Sequence, residues 1–306
     1  MLRIGLLGAA RIAPAAIIEP AAAHGIADAH GDYRALIDRD DIDLVYNALP
    51  PSGHMPWSVA ALGAGKHVLC EKPFAMNAAE AERMVDAARQ TGRHLIEAFH
   101  YRFHPLFARV LDIVHAGAIG PLRHIEAVFD VQVTRRPGAL RFDPALGGGG
   151  LMDLGCYPVH WARTLAGEEP AVQTARARQG PLGIDVHMEA TLAFPSGVTA
   201  QIACAMESDR PQTHYARLVA TGTRGRLVID NPLAPHRGHR LRLETATDAR
   251  EETVAGRSTY AHQFDHVLAV LAGATAPLTG GADAIANMAA IDAIYRAAGM
   301  QPRGAA

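Results

Sequence analysis

The first hundred residues alternate short apolar runs with stretches of helical period, the pattern of parallel α/β units. Leu2–Leu7 reads as a buried strand that runs straight into Gly8-Ala9-Ala10-Arg11 and a helix-like stretch. Asp43–Leu49 and His67–Glu71 read as further strands, separated by a helical run around Ser58–Ala64. Asn77-Ala78-Ala79-Glu80 has the form of a capping box, Asn77 serving as N-cap and Glu80 reaching back. The helix it opens puts Ala81, Met84, Val85 and Ala88 on one face, and Gly92 stops it. His94–Phe99 is the last strand of this half, and Pro105 and Gly117 bracket a further helix.

After Gly120 the period becomes two. Ile125, Ala127, Phe129 and Val131 alternate with more polar neighbours, as a half-buried strand does. Met188–Phe194 and Val198–Met206 flank the hairpin signal Pro195-Ser196-Gly197, and Arg217–Ala220 and Leu227–Ile229 flank a second turn at 221–225. One helix is inserted near Asp153–Leu165, and two close the chain. Tyr260, Phe264, Val267, Leu268 and Leu271 line the first of these; Ile285, Met288, Asp292 and Tyr295 mark the second. The expected class is α/β: a parallel α/β domain over 1–118, then an α+β domain over 119–306 with a mostly antiparallel open sheet and the C-terminal helices. That sheet has too few helices to cover both faces. An exposed apolar surface is expected on it, and with it a homodimer.

Composition narrows the function. A chain of 306 residues, 49% of them hydrophobic, is long enough for two domains with real cores. The 29 basic and 31 acidic residues leave a net charge of −2, no excess with which to neutralise a phosphate backbone, so nucleic acid is not an expected partner. Cys70, Cys156 and Cys204 form no CxxC pair and no metal-ligand spacing; no metal is expected, and a reducing, cytoplasmic setting is. No run approaches the roughly 20 apolar residues of a membrane helix, and the start lacks a signal peptide's apolar run.

Three stretches carry chemistry. Gly8-Ala9-Ala10-Arg11-Ile12 follows the first strand, where a glycine turn lets phosphate approach a helix N-terminus, although only Gly8 matches G-x-G-x-x-G. Arg11 is placed to pair with a pyrophosphate. Cys70-Glu71-Lys72-Pro73 ends a strand, where ligands of open α/β sheets sit, so that Lys72 is either a hand on a substrate hydroxyl or a turn lysine. Gly147–Gly150 precede Asp153, Tyr157 and His160, which share a face if the segment is helical. The glycines make either a close approach to ligand or a loose loop. Asp153 is also readable as an N-cap, and Tyr157 and His160 as hydrogen-bonded packing.

Together these stretches resemble the Gfo/Idh/MocA oxidoreductases, especially the branch of NADP-dependent D-xylose dehydrogenases and dimeric dihydrodiol dehydrogenases. The marks are GLLGAARIAP at 5–14, ALPPSGH at 48–54, AGKHVLCEKPFAMN at 64–77, EAFHYRFHP at 97–105, GGGGLMDLGCYPVH at 147–160 and NMAAIDAIYRAAG at 287–299. The resemblance implies a Rossmann domain binding NADP or NAD, followed by a domain whose open sheet often forms a dimer interface. It implies that Lys72, Tyr157 and Asp153 are catalytic: Lys72 the active-site lysine, Asp153 the substrate-site acid, and Tyr157 the proton acceptor. His160 is a further substrate contact. Gly8, Ala9, Ala10, Arg11, Ile12, Leu49, Pro50, His54, Glu71 and Lys72 would hold the cofactor, with Pro51 where many relatives have asparagine. The implied reaction moves a hydride between the carbinol of an aldose or sugar alcohol and the nicotinamide. A trans-dihydrodiol dehydrogenase and a cofactor-poor sugar-binding or regulatory relative are the alternatives.

One departure is visible. Gly25–His30 runs directly into Tyr33–Ile37, too short a junction for the second strand and helix of a Rossmann half. The N-terminal domain is therefore expected to be shortened and to lack the residue that reads the adenosine ribose.

Overall fold

The computed structural model describes residues 2–8, 32–135 and 139–305. Four short strands, β1 (Ile4–Leu7), β2 (Leu44–Asn47), β3 (His67–Cys70) and β4 (Leu95–Glu97), form a parallel sheet in that order. Parallel strands covered on both faces read as unbroken apolar runs, and Leu44–Asn47 is buried at every position. Helices of this unit's N-terminal part include α1 (Tyr33–Ile37), α2 (Pro51–Gly63) and α3 (Ala78–Thr91). Leu44, Tyr46, Leu69 and Ile96 pack against Phe264, Val267 and Val270 of a late helix, Thr259–Leu271. The expected helix after Gly8, and Ile26–His30, lie outside the described residues.

Local sequence explains the boundaries. Asn77 Oδ1 accepts the Glu80 N–H at 3.0 Å, while Glu80 Oε2 accepts the Met76 N–H at 3.1 Å, one residue before the amide a capping box would use. Helix α2 starts at Pro51 rather than near Ser58, because a proline at the first helical position loses no hydrogen bond there. His54 therefore sits in a helix and not in a loop.

The second unit is built on an eight-stranded sheet. Its strands are β5 (Leu122–Val131), β6 (Ala171–Gln179), β7 (Asp185–Ala193), β8 (Thr199–Ala205), β9 (His214–Gly222), β10 (Gly225–Asp230), β11 (Arg240–Thr245) and β12 (Ala249–Glu252). The order is β12-β11-β10-β9-β5-β8-β7-β6, with only β5 and β8 parallel. Helix α4 (Pro105–His115) belongs to this unit, as does α5 (Cys156–Ala166), which packs on β5 and β8. Beneath it lie Ile125, Ala127, Ala200, Ile202 and Cys204, all buried. The opposite face of the sheet is not the apolar surface that was expected. It holds a shallow groove of about 360 Å³ lined by Glu126, Thr174, Arg176, Glu189 and Gln201 with Val128 and Ala203, because the alternate positions of β5–β8 are mostly polar.

The expected division at residue 118 also moves. One unit comprises Met1–Phe103 with Thr259–Met288; the other comprises His104–Ser258 with Ala289–Ala306. The chain thus returns to its first sheet through α6 (Thr259–Leu271), and α7 (Gly281–Ala297) begins in one unit and ends in the other.

Candidate active site

The carboxyl ends of β1–β3 carry the first group of candidate residues. Gly8 has φ +89°, and a Cβ on it would lie 3.1 Å from the Leu49 side chain and 3.3 Å from the Ala48 carbonyl oxygen. Glycine leaves that space open and takes this backbone without strain. The buried Asn47 organises the turn after β2. Its Nδ2 donates to the His54 carbonyl and to Ser58 Oγ, both at 3.1 Å, and its Oδ1 accepts from the Leu49 N–H at 3.3 Å. His54, 1% exposed, places Nδ1 2.9 Å from the Pro73 carbonyl and Nε2 2.8 Å from the Leu49 carbonyl. The imidazole therefore sits between the turn after β2 and the turn after β3, and the neutral ring donates its one N–H to one of the two carbonyls. Burial drives it down to about 4, against the pull of its carbonyl neighbours.

After β3, Tyr46 donates its hydroxyl to Glu71 Oε1 at 2.6 Å, and Glu71 Oε2 accepts the Lys72 N–H at 3.2 Å. Burial and the Glu71 carboxylate push the Tyr46 phenol far above its ordinary range. Glu71 is buried and Lys72 half-buried.

The second group lies on the glycine run. Gly148 donates its N–H to the Asp143 carbonyl at 2.8 Å, and Gly149 donates to the Arg141 carbonyl at 3.0 Å. A Cβ on Gly148 would fall 2.6 Å from the Arg141 carbonyl oxygen. Gly148 and Gly149 are thus not in a loose loop; they are packed closely against neighbouring backbone and side chains. Leu151–Gly155 then forms a π-helical turn that leads into α5. Asp153 therefore lies in the π turn, while Tyr157 and His160 lie in the first turns of α5. Asp153 is not an N-cap. Its Oδ2 lies 2.7 Å from Arg141 Nε, a cation that spacing arguments missed because it comes from the preceding loop. Tyr157 is 4% exposed, its ring edge-on to Phe129 at 5.6 Å, and His160 is 1% exposed.

Of the expected cofactor residues, Ala9, Ala10, Arg11 and Ile12 lie outside the described residues. Gly8, Leu49, Pro50, Glu71 and Lys72 stand at the carboxyl ends of β1–β3. His54, also expected to hold the cofactor, is buried with its ring nitrogens against the Pro73 and Leu49 carbonyls. Asn47 and Tyr46, which position these turns, were not singled out from the sequence, where each reads as one more strand residue.

Glycine after the first strand of a parallel sheet, with ordered turns beyond its neighbours, is the arrangement of a dinucleotide site in an open α/β sheet. The left-handed Gly8 at the carboxyl end of β1 suits the close main-chain approach such a cofactor makes. Residues 3–99 match the oxidoreductase family with an NAD-binding Rossmann fold, and residues 107–228 match the GFO/IDH/MocA C-terminal domain. The chain is 34% identical to D-xylose 1-dehydrogenase (NADP(+)) 2 of Haloferax volcanii, over 90% of this chain and 83% of that enzyme. It is 35% identical to mouse trans-1,2-dihydrobenzene-1,2-diol dehydrogenase, over 69% of this chain and 62% of that enzyme. A 3-ketoreductase from Actinomadura kijaniata, solved with NADP and TDP-benzene, superposes with a TM-score of 0.87 at 27% identity, over 97% of each chain. The chain belongs to the Gfo/Idh/MocA family of NAD(P)-binding oxidoreductases.

Proposed function

We propose that the protein oxidises an aldose or sugar alcohol at a carbinol carbon with NADP, or reduces the corresponding carbonyl. The observation that carries this reading is Lys72 at the carboxyl end of β3, on a turn fixed by the Tyr46–Glu71 hydrogen bond and the buried His54 ring. The 34% identity to a xylose dehydrogenase supports the sugar class. Gly8, Leu49, Pro50, Glu71 and Lys72 would hold the dinucleotide, which when bound supplies the hydride acceptor. In the oxidative direction the carbinol C–H bond breaks with its electron pair leaving as hydride, and Tyr157 takes the hydroxyl proton. A phenol of ordinary pKa near 10 needs a cation to do this at neutral pH, the role assigned to the Lys72 ammonium. Asp153 orients a neighbouring hydroxyl, and His160 supports that pocket. The three buried cysteines, none of them in a disulfide, suit a reducing, cytoplasmic setting.

Lys72→Ala tests the assignment: turnover of D-xylose with NADP⁺ is expected to fall about 100-fold or more, with far less change in cofactor affinity. Tyr157→Phe keeps the ring's packing and should lower kcat and flatten its pH profile. Near-normal turnover in Lys72→Ala, or wild-type turnover of trans-dihydrodiols and of no sugar, overturns the assignment.

The same reading includes a homodimer through the groove on β5–β8. Arg176 stands opposite Glu189 across β6 and β7, and Glu126 opposite Gln201 across β5 and β8, so both charges are offered on one face. Light scattering at micromolar concentration should give twice the chain mass. Reversing Glu126 and Glu189 to lysine should give monomer.

A further inference from the structure

A buried charged cluster beneath the glycine run takes no part in the proposed chemistry. Asp185, at the start of β7, is 0% exposed, Tyr295 0% and Arg303 7%. Asp185 Oδ1 accepts from Arg303 Nη2 at 2.6 Å and from the Tyr295 hydroxyl at 3.0 Å, and its Oδ2 accepts the Leu151 N–H at 2.6 Å. Arg303 Nε donates to the Gly148 carbonyl at 2.7 Å, and its guanidinium stacks 4.6 Å from the Tyr295 ring centre. The cluster therefore grips main-chain atoms on both sides of Gly149. A Cβ on Gly149 would strike Asp185 Oδ1 and lie 2.7 Å from the Tyr295 hydroxyl and 2.8 Å from Arg303 Nη2.

What the grip fixes is the start of the π turn. Leu151 is its first residue, and the Asp153 N–H is bonded to the Gly149 carbonyl at 2.9 Å. A buried ion pair is a weak source of stability compared with apolar packing, and its best-attested use is to fix register. Here both charged partners spend hydrogen bonds on the backbone that carries Asp153, and the opposite side of that backbone is bonded to 141–143, which carries Arg141.

We propose that Asp185, Tyr295 and Arg303 are positioning residues that set where the Asp153 carboxylate meets the substrate. The role rests on the sugar-dehydrogenase reading above. Three variants of the full-length protein test it: Tyr295→Phe, Arg303→Lys and Arg303→Met, with D-xylose and NADP⁺ as probes. Tyr295→Phe should raise KM for D-xylose about tenfold with kcat within about twofold, since that is the low end of what one hydrogen bond to a charged group is worth. Arg303→Met should lower kcat/KM about 100-fold while NADP affinity stays within twofold, and Arg303→Lys should recover about tenfold of that loss, because lysine keeps the charge but not the fork. Hydrogen exchange at the Leu151 and Asp153 amides should quicken in Tyr295→Phe without general loss of protection. That readout needs no substrate: wild type inactive on every sugar sinks the functional reading alone, and exchange then decides the clamp. Variants that melt earlier yet keep wild-type KM, kcat and local exchange reduce the cluster to a stability element and overturn the proposal. If Arg303→Met does not fold, the Tyr295→Phe and Arg303→Lys results stand as the decision.

Discussion

The turns beyond β2 and β3 and the glycine run before α5 both hold candidate active-site residues, and they are fixed by opposite means. In the parallel unit two neutral side chains, Asn47 and His54, meet main-chain atoms of the turns, beside the Tyr46–Glu71 hydrogen bond. In the antiparallel unit the work falls to a buried carboxylate–guanidinium pair and to glycines that let backbones touch. Neutral struts tolerate substitution, because a lost hydrogen bond costs about 1 kcal/mol net. A buried ion pair does not, because removing one partner strands the other charge at about 3–5 kcal/mol. The comparison predicts that the two regions fail differently.

The sharpest break is at glycine. Gly149→Ala must displace the Asp185 carboxylate, the Tyr295 hydroxyl and the Arg303 guanidinium together, and its φ of +138° is one an L-residue rarely adopts. A loss of roughly 4 kcal/mol in urea unfolding is expected, of the order of a broken buried pair. Gly8→Ala meets the Leu49 side chain at 3.1 Å, which can give, and Ala48 backbone atoms at 3.3 and 3.4 Å, which need a shift of only a few tenths of an ångström, so a cost of about 1–2 kcal/mol is expected, mainly from backbone strain. Equal losses at the two glycines would erase the distinction.

This asymmetry was half legible in the sequence. Strands β2 and β3 announce themselves because both faces are covered, which makes their apolar runs continuous. β6 and β12 escaped, being the sheet's edge strands with polar residues at most exposed positions. β11 escaped as well, although Leu241 and Leu243 alternate there with Arg240, Arg242 and Glu244, because the run is only six residues long. Lys72, Asp153 and Tyr157 stood out as chemistry within motifs. Asp185 and Arg303 did not, since the partners of a buried charge lie far apart in sequence and no spacing links them. The glycine run was visible, but whether a ligand or a neighbouring layer fills the space beside it is decided only by tertiary packing.

Acid separates the regions a second way. His54 falls to about 4 in the folded chain from an ordinary value of 6.5, chiefly through burial. The unfolded chain therefore binds the extra proton between those values, and the imidazole's contribution, full above pH 6.5, is lost as pH falls to 4. The expected loss is about 3 kcal/mol, at 1.36 kcal/mol per pKa unit. Burial shifts Asp185 the other way, raising it, so its contribution is larger in acid and fades as pH rises through the folded value. Hydrogen exchange at pH 5 against pH 7.5 should show the sheet β1–β4 loosening first, and His54→Asn should remove most of that pH dependence. Uniform loosening of both sheets would count against the assignment.

The smallest effect is expected at Asn47. Asn47→Ala removes the donor to the Gly53 and His54 carbonyls, at 3.3 and 3.1 Å, but both oxygens lie in the first turn of α2, where helix amides also reach them. What the variant strands is the Leu49 N–H, which loses Asn47 Oδ1. One orphaned amide costs about 1–2 kcal/mol, and less if water reaches it. Stability should fall by that amount, and the Kd for NADP should rise about tenfold at most, because 1.4 kcal/mol is a factor of ten and only the Leu49–Pro50 edge is released. Asn47→Asp should do worse than alanine, since it sets a carboxylate oxygen against two carbonyls in place of a donor. Calorimetric titration of both variants with NADP reads the difference, and an aspartate variant that binds as tightly as wild type would show that Asn47 does not organise this turn.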